Sequence, residues 1–224
     1  MIYAIAGQKG GSGKSTTAIN LADELFARGA RVLLADADPQ RTTLTWAAIA
    51  NEAGHDSPVV IAVADGFHRA GQLPRMAQDF DHVVIDCPPR HGATLRSALV
   101  CADVVVLPCR PTPHDLNAMA ETLDLIEDVL QLRPVLPVIL MTQRLQRTVI
   151  GRDALRELKG TGLRVCESEL RTRVAYQEAH ASGLGVTRYA PRSKAAQEVR
   201  NLVDELTNLG AIDEHSEETR TRAA

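Results

Sequence analysis

Cysteine is scarce and unpatterned in this chain. Cys87, Cys101, Cys109 and Cys166 form no C-x-x-C pair and have no histidine at zinc-ligand spacing, so the sequence gives no signal for a zinc site. A chain of 224 residues buries roughly 70% or more of the surface it exposes when unfolded, so it needs no disulfide or metal staple. Each thiol is therefore expected as a small, reduced core residue. Long apolar runs are also missing: no stretch approaches the ~18 consecutive residues of a membrane-spanning helix. Met1 leads straight into a strand-like segment with no basic leader, and a cytoplasmic location is expected. Excess positive charge is absent too. The formal net charge is −3, which argues against attraction of nucleic acid to the whole surface but leaves a local basic face open. No internal repeat or interdomain linker interrupts the chain, so a single domain is expected over residues 1–209. From Gly210 onward Asp213, Glu214, Glu217, Glu218 and Arg220 break the apolar periodicity, and 210–224 reads as a polar, disordered tail.

What is present is 45% hydrophobic and 24% charged residues, the balance of a globular protein. Short β-branched or apolar runs alternate with amphipathic stretches. Ile2 to Ala6, Val32 to Ala35, Val59 to Val63, His82 to Asp86, Val104 to Leu107 and Val135 to Met141 read as strands. Ala18, Leu21, Ala22 and Leu25 fall at helical spacing before Gly29, and Met119, Leu123, Ile126 and Leu130 repeat the pattern. Near-continuous hydrophobic strands separated by helices predict an α/β fold, doubly wound, with a mainly parallel sheet and helices on both faces. After Met141 the pattern weakens. Leu155 and Leu158 suggest a helix, Leu163 to Val165 a short strand, and Val199, Leu202, Val203 and Leu206 a final core-facing helix.

The strongest chemical signal is Lys9-Gly10-Gly11-Ser12-Gly13-Lys14-Ser15-Thr16, placed between the first strand and the first helix as a phosphate loop requires. Glycines let backbone N–H groups turn around phosphate oxygens, the helix N-terminus adds its dipole, and Lys14 supplies an ammonium to the β and γ phosphates. Ser15 is expected on Mg2+ and Thr16 on the α-phosphate. The common pattern wants glycine five residues before Gly13, where this chain has Gln8. The segment instead matches K-G-G-x-G-K-[S/T], with a second lysine, Lys9, near the loop's start. Asp36-Ala37-Asp38-Pro39-Gln40 closes the second strand. His82-Val83-Val84-Ile85-Asp86 closes the fourth and runs into Cys87-Pro88-Pro89.

Together these segments resemble the deviant Walker A ATPases of the ParA/MinD type, most of all the short, ParF-like ParA partition ATPases, and the resemblance extends from about Met1 to Leu209. It implies a P-loop fold, ATP and Mg2+ as cofactors, and weak hydrolysis accelerated by a partner. Asp38, in the switch I position, is implied to orient the attacking water. Asp86 would reach Mg2+ through water, with Asp36 a further metal candidate. Lys9 would complete the neighbouring subunit's site in an ATP-sandwich homodimer, so Lys9, Lys14 and Asp38 form the catalytic set. Gln143 and Arg144 sit where relatives contain the adenine. The family binds DNA without sequence preference, and Arg171, Arg173, Arg192 and Lys194, with Arg188 nearby, resemble its basic C-terminal patch. The implied partners are nucleoid DNA and a cargo adaptor, ParB/ParG-like or of an organelle, with no membrane. Plasmid partition and carboxysome positioning both fit. A MinD-like membrane ATPase needs a basic amphipathic C-terminal helix that the tail lacks. A P-loop metabolic ligase or kinase shares the phosphate cradle, and Lys9 tips the balance away from it. A relative of the nitrogenase iron protein needs shared cluster cysteines that the spacing of Cys87 and Cys101 does not force.

Overall fold

The computed structural model describes residues 1–89, 92–144, 154, 156, 158 and 160–221. Seven strands, β1 (Ile2–Ile5), β2 (Val32–Asp36), β3 (Val59–Ala62), β4 (His82–Asp86), β5 (Val104–Cys109), β6 (Leu136–Thr142) and β7 (Arg164–Leu170), form one sheet in the order β3-β2-β4-β1-β5-β6-β7. All neighbours are parallel. The helices are α1 (Lys14–Ala27), α2 (Thr42–Glu52), α3 (Leu73–Met76), α4 (Ala93–Cys101), α5 (Pro113–Leu130), α6 (Val174–Ala181), α7 (Val186–Tyr189) and α8 (Lys194–Thr221). Residues 154, 156, 158 and 160 are also helical, in the stretch where Leu158 points to a helix; Leu155 lies outside the described residues.

The alternation of side chains along each strand divides the core in two. Tyr3, Ile5, Leu34, Val84, Val106 and Leu140 face α1, Trp46 of α2 and the buried side of α8. Ala4, Leu33, Ile85, Val105 and Ile139 face Leu95 and Leu99 of α4 and Ile126 and Val129 of α5. Both faces are apolar because both are covered, which is why the central strands read as unbroken hydrophobic runs. All four cysteines are free and buried, and burial raises the thiols of Cys87, Cys101 and Cys166.

The differences from expectation are local. β7 runs five residues past Val165 because its Glu167-Ser168-Glu169 segment, polar in sequence, is an edge strand whose exposed side needs no apolar residues. A register irregularity between Ile139 and Met141 accommodates it. In α5 the stripe of Met119 and Ile126 ends on Val129, and Leu130, expected in the core, is 44% exposed. The backbone of α8 continues as helix to Thr221, through the stretch read as a polar tail. Leu209 is the last buried residue among the described side chains.

The turn between α6 and α7 packs against the helices beneath it. Gly183 has φ 69°, and a Cβ there would stand 2.4 Å from the Ala50 nitrogen, so only glycine permits this approach. Asp23, fully buried, accepts the Gly185 N–H at 2.9 Å and Arg188 Nε at 2.9 Å, and also pairs with Arg188 Nη2. Arg188 is thus an internal clamp between α7 and α1, not a member of a basic surface.

Candidate nucleotide site

Parallel strands end on one edge of the sheet, and three adjacent ends build the site. Ile5 is in register with Asp86, and Asp36 with Asp86. The loop leaving β1 and the aspartates closing β2 and β4 therefore lie side by side. Gly13 takes φ 96° and caps α1 with no side-chain hydrogen bond. The first N–H groups of the helix are thus left to an external acceptor, as a phosphate chain requires. From the end of β6, Thr142 Oγ1 donates to the Ser12 carbonyl at 2.8 Å and Gln143 Nε2 to the Gly11 carbonyl at 2.7 Å. These bonds hold two loop carbonyls toward β6. Thr142 carries no motif and is invisible to sequence reasoning; its proximity to the loop follows from the strand order alone.

Lys14 is 6% exposed, and its Nζ donates to the Lys9 carbonyl at 2.7 Å. Burial lowers its pKa, opposed by the Asp86 and Asp38 carboxylates. Lys9 itself is half-buried at the loop's outer edge. Asp86 is fully buried, and among the described residues its carboxylate meets only the Ser15 hydroxyl, at a geometry short of a well-formed hydrogen bond. Burial pushes its pKa up to about 7; the Asp36 and Asp38 charges add to the shift, and the neighbouring Ser15 hydroxyl and Lys14 ammonium oppose it. A buried carboxylate this weakly bonded, beside a hydroxyl and an ammonium, fits the donor set of a magnesium–phosphate site, since Mg2+ commonly takes only one or two protein carboxylates.

The raised pKa has a measurable sign. The folded chain keeps the Asp86 proton up to about pH 7, whereas the ordinary value is 3.8. The unfolded chain binds fewer protons in that interval, so the protein without ligand loses stability as pH rises from about 4 to about 7. Thermal melts without Mg2+ are expected to fall across that window and to flatten in Asp86→Asn. A slope that survives the substitution assigns the dependence to another group.

Asp36, 2% exposed, is committed to the backbone. Its Oδ1 accepts the Asp38 N–H, and its Oδ2 accepts the N–H groups of Thr43 and Leu44, each at 3.1 Å. It thereby ties the Asp38 turn to the first turn of α2. Asp38 is partly exposed at the rim and accepts the Gln40 N–H at 2.9 Å.

A cleft of about 190 Å³ opens beside the loop, lined by residues that include Gly13, Thr16, Gln143, Leu170 and Tyr176. Gln143 is thus at the cleft, held at φ 51° by its N–H bond to the Leu170 carbonyl. Arg144 is not among the cleft's walls and pairs with Glu169 at 3.0 Å. Arg171 and Arg173 also line the cleft, a position their arginine-rich sequence does not reveal. Arg171 pairs with Glu169 at 3.2 Å and Arg173 with Glu198 at 2.5 Å. Arg192 and Lys194 are exposed at the start of α8. Of the two places read as basic, one thus holds the ion-paired Arg171 and Arg173 and the other the exposed Arg192 and Lys194.

No helix among the described residues is long and apolar enough to cross a membrane. The maintenance of carboxysome distribution protein A of Halothiobacillus neapolitanus is 30% identical over 206 residues, covering 91% of this chain and 94% of the relative. The chromosome-partitioning ATPase Soj of Thermus thermophilus is 30% identical over 233 residues, with coverages of 91% and 94%. Among solved structures, cobyrinic acid a,c-diamide synthase from Mycobacterium smegmatis with bound ATP analogue and magnesium superposes with a TM-score of 0.73. It is 25% identical, covering 92% of this chain and 93% of that one. The model of the CobQ/CobB/MinD/ParA nucleotide-binding domain matches residues 3–210, and the chain belongs to that family as an ATPase of the ParA/MinD type with ATP and Mg2+ as cofactors.

Proposed function

We propose that the chain is a positioning ATPase that dimerises around ATP, binds nucleoid DNA without sequence preference, and releases it when a cargo-bound adaptor stimulates hydrolysis. The observation that carries this reading is the pair of lysines on one loop, with Lys14 buried at its inner end and Lys9 at its outer edge. In the proposed site, the N–H groups from Gly10 to Thr16 and the Lys14 ammonium hold the triphosphate. Ser15 and, through water, Asp86 hold Mg2+, which when bound neutralises phosphate charge. Asp38 orients water for in-line attack, and Asp36 keeps the Asp38 turn in place. Gln143 borders the base. Lys9 reaches the partner's nucleotide, as a finger residue supplied in trans does in other P-loop enzymes.

DNA binding of this kind needs cations set against phosphates and no base readout. Arg192 and Lys194 suit it because they are exposed, whereas Arg173 is held by Glu198. Co-sedimentation with DNA in ATP and in ADP is the test. Binding is expected with ATP only, to weaken with salt, and to lose about one unit of salt slope on Lys194→Ala. Equal binding in both nucleotides, or none at low salt, overturns the cycle. Turnover that depends on a small metabolite, without DNA binding, favours a ligase instead. For the cargo, plasmid partition and carboxysome positioning share this cycle. The second gains support from a relative named for carboxysome distribution, and identifying the adaptor that stimulates hydrolysis separates them.

A further inference from the structure

Arg110 lies just beyond β5, and the sheet brings it to the phosphate loop. β5 is the neighbour of β1 on the side away from Asp86, and the Ala6 N–H donates to the Val106 carbonyl at 2.9 Å, which keeps the two strand ends level. The guanidinium has a fixed anchor. Its Nε and Nη2 donate to Asp115 Oδ1 at 3.2 and 3.1 Å. Asp115 is 6% exposed and is itself held by Thr112, whose hydroxyl donates to Asp115 Oδ2 and accepts the Asp115 N–H at 3.2 Å. With that edge of the fork occupied, Nη1 lies over the loop: a Cβ placed on Gly11 would stand 4.0 Å from it. Lys9, Lys14 and Arg110 thus surround a single turn of backbone.

The position along the loop indicates which phosphate is near. Lys14 opens α1 and is assigned to the β and γ phosphates, with Thr16 on the α-phosphate. Gly11 precedes them, so a cation beside it stands at the terminal phosphate. We propose that Arg110 is a positioning residue for the γ-phosphate, contributing a charge-assisted hydrogen bond that ADP cannot form. Asp115 holds the guanidinium plane in place, and because Asp115 lies in the first turn of α5, occupancy by ATP is felt at the head of that helix. The inference rests on the ATP site proposed above and extends it to discrimination between ATP and ADP.

The test is a comparison of affinities for a non-hydrolysable ATP analogue and for ADP, by calorimetry with Mg2+. It is run at protein concentrations where sedimentation shows one chain per particle, so that only the chain's own arginine is read. Arg110→Ala is expected to weaken the ATP analogue about tenfold while ADP affinity stays within roughly twofold. Arg110→Lys is expected to recover part of the loss. Arg110→Gln, which retains a donor toward Asp115, is expected to match Arg110→Ala and covers the case in which alanine disturbs the fold. Equal changes for both nucleotides, or no change for either, overturn the proposal. Lys14→Ala serves as the control for the site itself: if it binds both nucleotides normally, the site assignment fails, whereas a failure confined to Arg110 leaves that assignment standing.

Discussion

Replacing Lys14 with alanine is expected to weaken ATP and ADP alike by roughly two orders of magnitude. A charge-assisted hydrogen bond contributes about 1.5–3 kcal/mol, and one buried ammonium serving two phosphates reaches the upper end of that range or beyond. The fold is expected to survive, because the Lys14 ammonium bonds to the carbonyl of its own loop, at Lys9, and to no distant element. The same substitution removes the positive charge that opposes the raised pKa of Asp86, so Asp86 is expected to hold its proton to higher pH. Calorimetry of nucleotide binding, paired with a thermal melt, reads both effects. Affinity within about threefold of the unsubstituted protein, with the melt unchanged, removes Lys14 from the site.

Asp38→Ala is expected to have the second large effect, and of a different kind: the rate of hydrolysis falls by about 10²–10⁴ while ATP affinity stays within a few-fold. The separation follows from position. Asp38 sits at the rim, beyond the end of β2, and its carboxylate accepts the Gln40 N–H, so loss of the side chain disturbs a turn and leaves the loop around Lys14 intact. Single-turnover hydrolysis and sedimentation are to be read together. ATP is expected to remain bound and the particle to remain a dimer. Hydrolysis at the unsubstituted rate, or a monomer in the presence of ATP, would falsify the role given to this carboxylate.

The central strands and the phosphate loop were legible in the sequence because their determinants are local. Continuous burial writes β4 as His82-Val83-Val84-Ile85-Asp86 without interruption, and glycines must stand where the loop turns. Other features depend on residues far apart in the chain. The Asp36 carboxylate is shared among N–H groups two, seven and eight positions away, which only the shape of the intervening turn brings together. Arg173 meets Glu198 across 25 residues, so a run of arginines that looks basic on paper is half neutralised in space. The weakly amphipathic α2 runs Trp46-Ala47-Ala48-Ile49-Ala50, apolar all round although only Trp46 and Ala50 of that run are buried, so it carries too little periodicity to be found before its partners are known. Thr142 and Arg110 have no motif at all; strand order alone delivers them to the loop.

The Lys14 ammonium has three donors and spends one on the Lys9 carbonyl, so that carbonyl and an arriving phosphate draw on the same group. Filling the cradle is therefore expected to loosen the inner side chain's hold on the outer residue's backbone, whose carbonyl keeps the Ser12 hydroxyl at 3.4 Å. Occupancy of the site and the set of the loop's rim thus meet at one peptide group, five residues upstream of the buried lysine.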